Sequence, residues 1–510
     1  MKFLPKSAVK TTIQDFLLLA MVGFLATFPL YLNSWLQIRY DAVVHIGIIN
    51  AIKRCGLAFG NPFLAGKELP YYWGYNLVAW LLHWITGIKV PLLLTLINSI
   101  SLAVIIPMLY LVVRAMGGSR RGGYLGALLG IFGLNGFGWV ALIGNDIDFA
   151  LSGIIPYFRS VSPTRERFSF AFFTSHLLCI TSLAPGLAFY ASSLLLLEKI
   201  RQRGSMILII LTATMIVMTT FINLFAGAVV TVCALSYSLF AVVRPKNRAA
   251  AIRMAIVGGI GLISILVSMH IFTKAINPPS TSLCFPGRLE VRILFFLILP
   301  FLLILSIGIM RRGTSLLWIS VVATAALFLL VKLPAENQYK FVFFLVLQLG
   351  VLAGVRYGGR YWRKIMMGLV LLLTLPTTII GIFAFQNEPS PDRPIKEIAE
   401  LSEKSRNILP PNAVIITKNL EWAIPIFLNR DAYLSRRHFL KNLGYQEEVA
   451  ERTRMVIKAS DPAYRAETLR DISYKMGRPV YWLGNDLLAG NGMEVILTEV
   501  DVILAVPSAN

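Results

Sequence analysis

The sequence predicts a polytopic α-helical membrane protein of about eleven transmembrane helices, with interfacial helices in its first outer loop and a small C-terminal α/β domain. Three observations carry this prediction. The 510 residues are 56% hydrophobic and only 15% charged, against about 25% charged in a typical soluble domain. Long apolar segments alternate with short loops, and every second loop holds two or more Lys or Arg. Near Gln386 the composition turns polar and stays so, which sets the domains at 1–386 and 387–510.

The basic stretch MKFLPKSAVK precedes an apolar run from Ile13 to Leu32. That run is long and has no small-residue cleavage pattern before Trp35, so it reads as an uncleaved first span. Lys2, Lys6 and Lys10 hold the N-terminus on the cytoplasmic side, and Asp41 emerges outside. The aromatic segment YYWGYNLVAWLLHWITG, punctuated by Gly74 and Gly87, reads as a helix lying at headgroup depth. Spans follow over Val90–Val113, Gly123–Ile143 and Phe172–Leu197. Residues 205–243 exceed one crossing and read as a hairpin turning near Asn223. Ile252–Ile271, 293–310, 314–331, 341–355 and 365–385 complete the set, leaving the C-terminus outside. Beyond the linker NEPSPDRP, the runs AVIIT, PVYWL and MEVILTEVDVILAV read as strands, and Arg437–Lys458 and Ala463–Met476 as helices.

The net charge of +22 would suggest a nucleic-acid partner in a soluble chain. Here the positives sit mainly between hydrophobic segments, so topology explains them better than a nucleic-acid partner does; the outer excess suits anionic lipid phosphate. Cys179 and Cys233 fall in apolar segments and read as core. Cys55 and Cys284 fall in outer loops, where a disulfide can persist if geometry permits. No Cys/His spacing for a metal is present.

The first outer loop, Arg39–Gly74, concentrates the chemistry-bearing residues. Asp41 and His45 are one helical turn apart on one face, followed by a Gly/Pro/Asn loop and an aromatic cluster with Tyr71 and Tyr72. A carboxylate at the membrane edge either lines a site or simply ends a helix in water. Lys340, in ENQYKF with Glu336 and Asn337, stands at the outer start of a span. It is placed to meet a lipid headgroup, or to snorkel. Arg288 is a second phosphate candidate, and Arg165 with Arg167 a third or a solvated pair. Asp146-Ile-Asp148 could bind a hard divalent cation through oxygen ligands, or Asp148 could cap a helix. His176 is either a buried, hydroxyl-satisfied histidine or a cavity residue, while His83 and His270 read as structural.

The segments Tyr40-Asp41-Ala42-Val43-Val44-His45, Gly60-Asn61-Pro62 and Tyr71-Tyr72-Trp73-Gly74 together resemble the first outer loop of the GT-C superfamily of membrane glycosyltransferases. The multispan body and outer C-terminal domain extend that resemblance. It implies transfer of a sugar, with inversion, from a polyprenyl-phosphate-linked donor to a glycan, lipid or protein acceptor outside the cytoplasm. It also implies that Asp41 is the base toward the acceptor and that a late-loop cation such as Lys340 meets the donor. The WWDYG signature of oligosaccharyltransferases is absent, which argues against protein N-glycosylation. The chemistry agrees with the residues: a positioned carboxylate can take the proton of a sugar hydroxyl, and cations stabilise charge developing on a departing phosphate. His45 would orient Asp41 or the acceptor. Two other classes are a flippase for lipid-linked sugars, disfavoured by the missing two-fold repetition, and a non-catalytic assembly partner.

Overall fold

The computed structural model describes residues 6–32, 34–38, 41–131, 177–244, 247–272, 282–283, 314–332, 340–357, 365, 368–369, 372, 395–405, 407–484, 492–499 and 502–508. Two compact units emerge. A membrane unit comprises Met1–Gln37, Leu94–Met269 and Thr281–Pro389, and a second unit, labelled the outer unit after the side the sequence predicts for it, comprises Ile38–Leu93, His270–Ser280 and Ser390–Asn510. The first outer loop therefore sides with the C-terminal residues, where a linear boundary at 386 leaves it with the spans.

In chain order the helices are α1 (Lys6–Leu25), α2 (Ala42–Cys55), α3 (Gly74–Thr86), α4 (Val90–Ala115), α5 (Arg120–Ile131) and α6 (Leu183–Gln202). Next come α7 (Met206–Ile222), α8 (Leu224–Val242), α9 (Arg248–Phe272), α10 (Ser315–Leu330) and α11 (Lys340–Arg356). The outer unit closes with α12 (Ile395–Ser405), α13 (Arg437–Asn442), α14 (Gln446–Ser460) and α15 (Pro462–Met476). Among the described residues, five helices are long and apolar enough to cross a membrane: Thr12–Leu32, Val90–Ala115, Leu183–Gln202, Leu224–Val242 and Arg248–Ile271. With the shorter apolar α7 and α10, they make the chain an integral membrane protein. The expected spans 293–310 and 365–385 fall largely or wholly outside the described residues.

The predicted hairpin at Asn223 is present, and its cause is local. Asn223 is extended between α7 and α8, and its side chain caps α8 by accepting from Ala226 N at 3.0 Å. Its amide donates to the Ser182 carbonyl at 3.2 Å, which ties the break to the start of α6.

A glycine seam holds α5 against α11. A Cβ on Gly122 would fall on the Gly354 carbonyl oxygen, one on Gly350 would lie 2.5 Å from Gly130 N, and one on Gly354 2.7 Å from Gly126 Cα. The four-residue spacing of these glycines lets two backbones touch, the usual way apolar helices associate where burial from water supplies no drive. Polar side chains reinforce the unit. Asp15, buried near the start of α1, accepts from Tyr110 at 2.6 Å, Tyr124 at 2.5 Å and Arg120 at 2.7 Å. Gln348 of α11 donates to Tyr190 at 2.6 Å and Thr324 at 2.8 Å, joining α6, α10 and α11.

The outer unit is built on a five-stranded mixed sheet. Its strands are β1 (Val414–Ile416), β2 (Asp431–Ala432), β3 (Val480–Gly484), β4 (Met493–Glu499) and β5 (Val502–Pro507), in the order β2-β1-β3-β5-β4. β1 pairs parallel to β2 and β3, with Ile415 opposite Ala432 and Tyr481, and β5 runs antiparallel to β3 and β4. MEVILTEVDVILAV is thus a hairpin, with a bulge between Val495 and Leu497. One expectation needs correction: Arg437–Lys458 is not a single helix. Gly444 takes φ 95°, a left-handed conformation that separates α13 from α14.

Candidate active site

The frame of the site is the first outer loop docked on the edge of the sheet. The loop after α2 runs alongside β2 and the residues that follow it: Ala432 N donates to Pro62 O, Ala65 N to Ala432 O and Ser435 N to Phe63 O, each at 2.9 Å. Asn61 shapes the loop, since its Oδ1 accepts from Phe63 N at 3.0 Å and its backbone nitrogen donates to Lys67 O at 2.8 Å. α2 is then pinned along its length. Asn50 donates to the carbonyls of Pro425 and Ile426, both at 3.0 Å. Arg54 binds Asp431, whose other oxygen takes Arg478 at 2.7 Å. Gly47 permits this approach: a Cβ there would meet the Phe63 ring at 2.8 Å and Pro425 at 3.0 Å.

This frame presents Asp41 at the N-terminus of α2, where the helix dipole favours a negative charge. Its side chain makes no capping hydrogen bond and is 60% exposed. Among the described residues its ionic partner is Arg436, whose Nη2 lies 3.9 Å from Asp41 Oδ1. Arg436 is held at φ 52°, ψ 50°, the left-handed region, as the residue preceding α13. Such a conformation costs a non-glycine residue about 1–3 kcal/mol. The adjacent Arg437 sits 3.5 Å from Glu421, and buried Ser435 donates to the Glu421 carbonyl at 2.7 Å.

His45 faces inward. It is 2% exposed, with its Nδ1 3.1 Å from the Asn76 amide nitrogen, which also lies 3.1 Å from the His45 carbonyl oxygen. Tyr75 packs edge-on at 5.0 Å between ring centroids. The contact fixes α2 to α3, and burial pushes the Tyr75 phenol above its ordinary pKa. Tyr71 is half-buried, 5.3 Å from the Phe439 ring and 6.3 Å from His45, and Tyr72 is half-buried beside it.

Lys340 belongs to the membrane unit, where it opens α11 with its ammonium 4.9 Å from the Phe225 ring centroid. Glu336, Arg288, His176, Asp146, Asp148, Arg165, Arg167 and Cys284 lie outside the described residues. Among the described residues, no three His, Cys, Asp or Glu side chains gather as a metal site. Cys55 is exposed as a free thiol. Sequence reasoning missed Arg436 and Asn76, since both meet α2 only through tertiary contacts. The one local signal was a run of two arginines and a histidine, Arg436–His438, where a helix begins.

No protein-family model and no curated protein matches the sequence. Solved structures do. The chain is similar to ArnT from Cupriavidus metallidurans bound to undecaprenyl phosphate, at 12% identity over 97% of both chains with a TM-score of 0.52. It is similar to the same protein in the apo state at 11% identity over 98% of both chains, TM-score 0.56. It also resembles the arabinofuranosyltransferase AftD from Mycobacteria at 14% identity, TM-score 0.54, covering 98% of this chain and 42% of that longer one. The likeness is one of fold, and it covers nearly all of this chain.

Proposed function

Starting from the GT-C fold of this chain, we propose that it is a membrane glycosyltransferase. It takes a sugar from a polyprenyl-phosphate-linked donor and passes it, with inversion, to a glycan, lipid or protein acceptor outside the cytoplasm. The N-terminus is cytoplasmic and the C-terminal domain extracytoplasmic, as the distribution of Lys and Arg implies.

Asp41 is the base. It accepts the proton of the acceptor hydroxyl as that oxygen bonds to the anomeric carbon. The bond from that carbon to the donor phosphate breaks, and its electron pair leaves on the phosphate oxygen. Lys340 and Arg288 carry the charge that develops there, with Glu336, His176, Tyr71 and Tyr72 contacting substrate. A divalent cation at Asp146 and Asp148 would add to that charge stabilisation. His45 acts by holding α2 through Asn76, and so fixes the helix that presents Asp41.

The observation that carries this reading is an exposed, uncapped carboxylate beside an arginine, in a chain whose fold is similar to that of ArnT bound to undecaprenyl phosphate over 97% of both chains. The test uses envelope membranes as acceptor and a panel of radiolabelled undecaprenyl-phosphate hexoses and pentoses as donors. Wild type transfers label from at least one donor, and Asp41→Asn loses about 100-fold or more of that rate. Equal transfer at equal protein level removes Asp41 from its role. Movement of donor between leaflets of proteoliposomes without transfer makes the protein a flippase instead.

A further inference from the structure

We propose that Arg436 is a positioning residue for Asp41, so that the C-terminal domain completes the catalytic apparatus rather than only offering a docking surface. The inference rests on the reading of Asp41 as base and goes beyond it by assigning a second residue, from the opposite end of the sequence.

Three features of Arg436 point the same way. Its backbone is left-handed, a conformation suited to glycine and poorly suited to arginine. It stands at a helix N-terminus, where Ser, Thr, Asp or Asn would cap and where a cation opposes the dipole. Its side chain makes no capping bond there. Nothing local favours an arginine at this position. What the position does achieve is to set a guanidinium 3.9 Å from the Asp41 carboxylate. The backbone around it is anchored: Ser435 N donates to Phe63 O, the Ser435 hydroxyl to the Glu421 carbonyl, and Leu440 N to the Arg436 carbonyl. The guanidinium is therefore aimed by a fixed backbone rather than reaching from a free loop.

Asp41 needs such a neighbour. Among the described residues its carboxylate has no capping hydrogen bond to the end of α2, and it is largely exposed, with Arg436 as the cation beside it. A cation on one side restricts the carboxylate to orientations that leave its second oxygen open to an acceptor hydroxyl. The separation exceeds a hydrogen bond, so the pair orients Asp41 without occupying the lone pairs that take the proton.

The experiment compares wild type, Asp41→Asn, Arg436→Gly and Arg436→Lys in the full chain, with the same labelled donor panel and envelope acceptor. Arg436→Gly relieves the backbone conformation, so the folded protein is retained, as melting of the purified protein checks. The expected result is a fall of about 10- to 100-fold in kcat with donor KM little changed. Added guanidinium ion restores part of the rate to Arg436→Gly and none to Asp41→Asn, and Arg436→Lys is intermediate. An unchanged kcat in Arg436→Gly overturns the inference while leaving Asp41 as base. A rise in donor KM alone also overturns it, and makes Arg436 a phosphate contact. A wild type that transfers from no donor overturns the glycosyltransferase reading and this inference with it.

Discussion

Asn50 gives its side-chain amide to the backbone carbonyl of Pro425 at 3.0 Å, a bond between the helix that presents Asp41 and the segment leading into β2. The same amide reaches Ile426 at 3.0 Å, so one side chain serves two carbonyls. Asn50→Ala leaves both without that donor and is expected to destabilise the outer unit by about 1–3 kcal/mol. Transfer should fall further than melting does, because α2 loosens at the site. Hydrogen exchange of α2 amides checks this directly.

The α5–α11 seam has no room for side chains. Gly126→Val would drive methyl groups into the Gly350 carbonyl, 3.0 Å from where a Cβ would sit. The expected cost is about 1–3 kcal/mol or more, seen as a lower melting temperature in detergent. Substitution at Gly259, whose Cβ would meet nothing within 4 Å, is the control and should be tolerated.

Glu448 makes stability depend on pH. Burial alone would raise its pKa, but hydrogen bonds from Lys67 at 3.0 Å and Arg452 at 2.7 Å outweigh it and hold the carboxyl below its ordinary value. A depressed carboxylate stabilises the fold above its unfolded pKa and loses that contribution as pH falls through the folded value. Glu448→Gln is therefore less stable than wild type at neutral pH, by about 1 kcal/mol or less because Lys67 is well exposed. The difference vanishes in acid. Unfolding curves from neutral to strongly acidic pH check the convergence.

Asp15 is predicted to be indispensable to folding rather than to transfer. Its two oxygens collect Tyr110, Tyr124 and Arg120 inside the first span. Asp15→Leu leaves the buried Tyr110 phenol and the half-buried Tyr124 phenol without their acceptor, while the exposed Arg120 can turn to water, so folded yield drops. Whatever protein survives purification should keep its kcat.

Much of the fold is legible in the sequence, and the reasons differ by element. Spans such as Val90–Ala115 declare themselves by length and apolarity alone. Asn223 marks its hairpin because 205–243 is too long for one crossing, and a polar residue midway along it is where the chain can turn. Asp41 stands out as a carboxylate at the edge of an oily segment. The α13–α14 break is less visible, because Gly444 sits in a run whose periodicity continues on both sides. The glycine spacing 122, 126, 130 against 350, 354 is present to be read but gains meaning only when the two helices meet. Arg436 is the limiting case: its role depends on the loop at Pro62–Ala65 lying against Ala432–Ser435, a pairing of distant residues that no local pattern encodes.

That pairing has a consequence for anyone exchanging parts between relatives. A chimera that swaps only residues after 390 would set a foreign sheet edge against a native loop and lose the side-chain pairs between them, Arg54 with Asp431 and Lys67 with Glu448. Inheritance of a new acceptor preference should therefore require two discontinuous pieces, 38–93 and 390–510, to travel as one cassette.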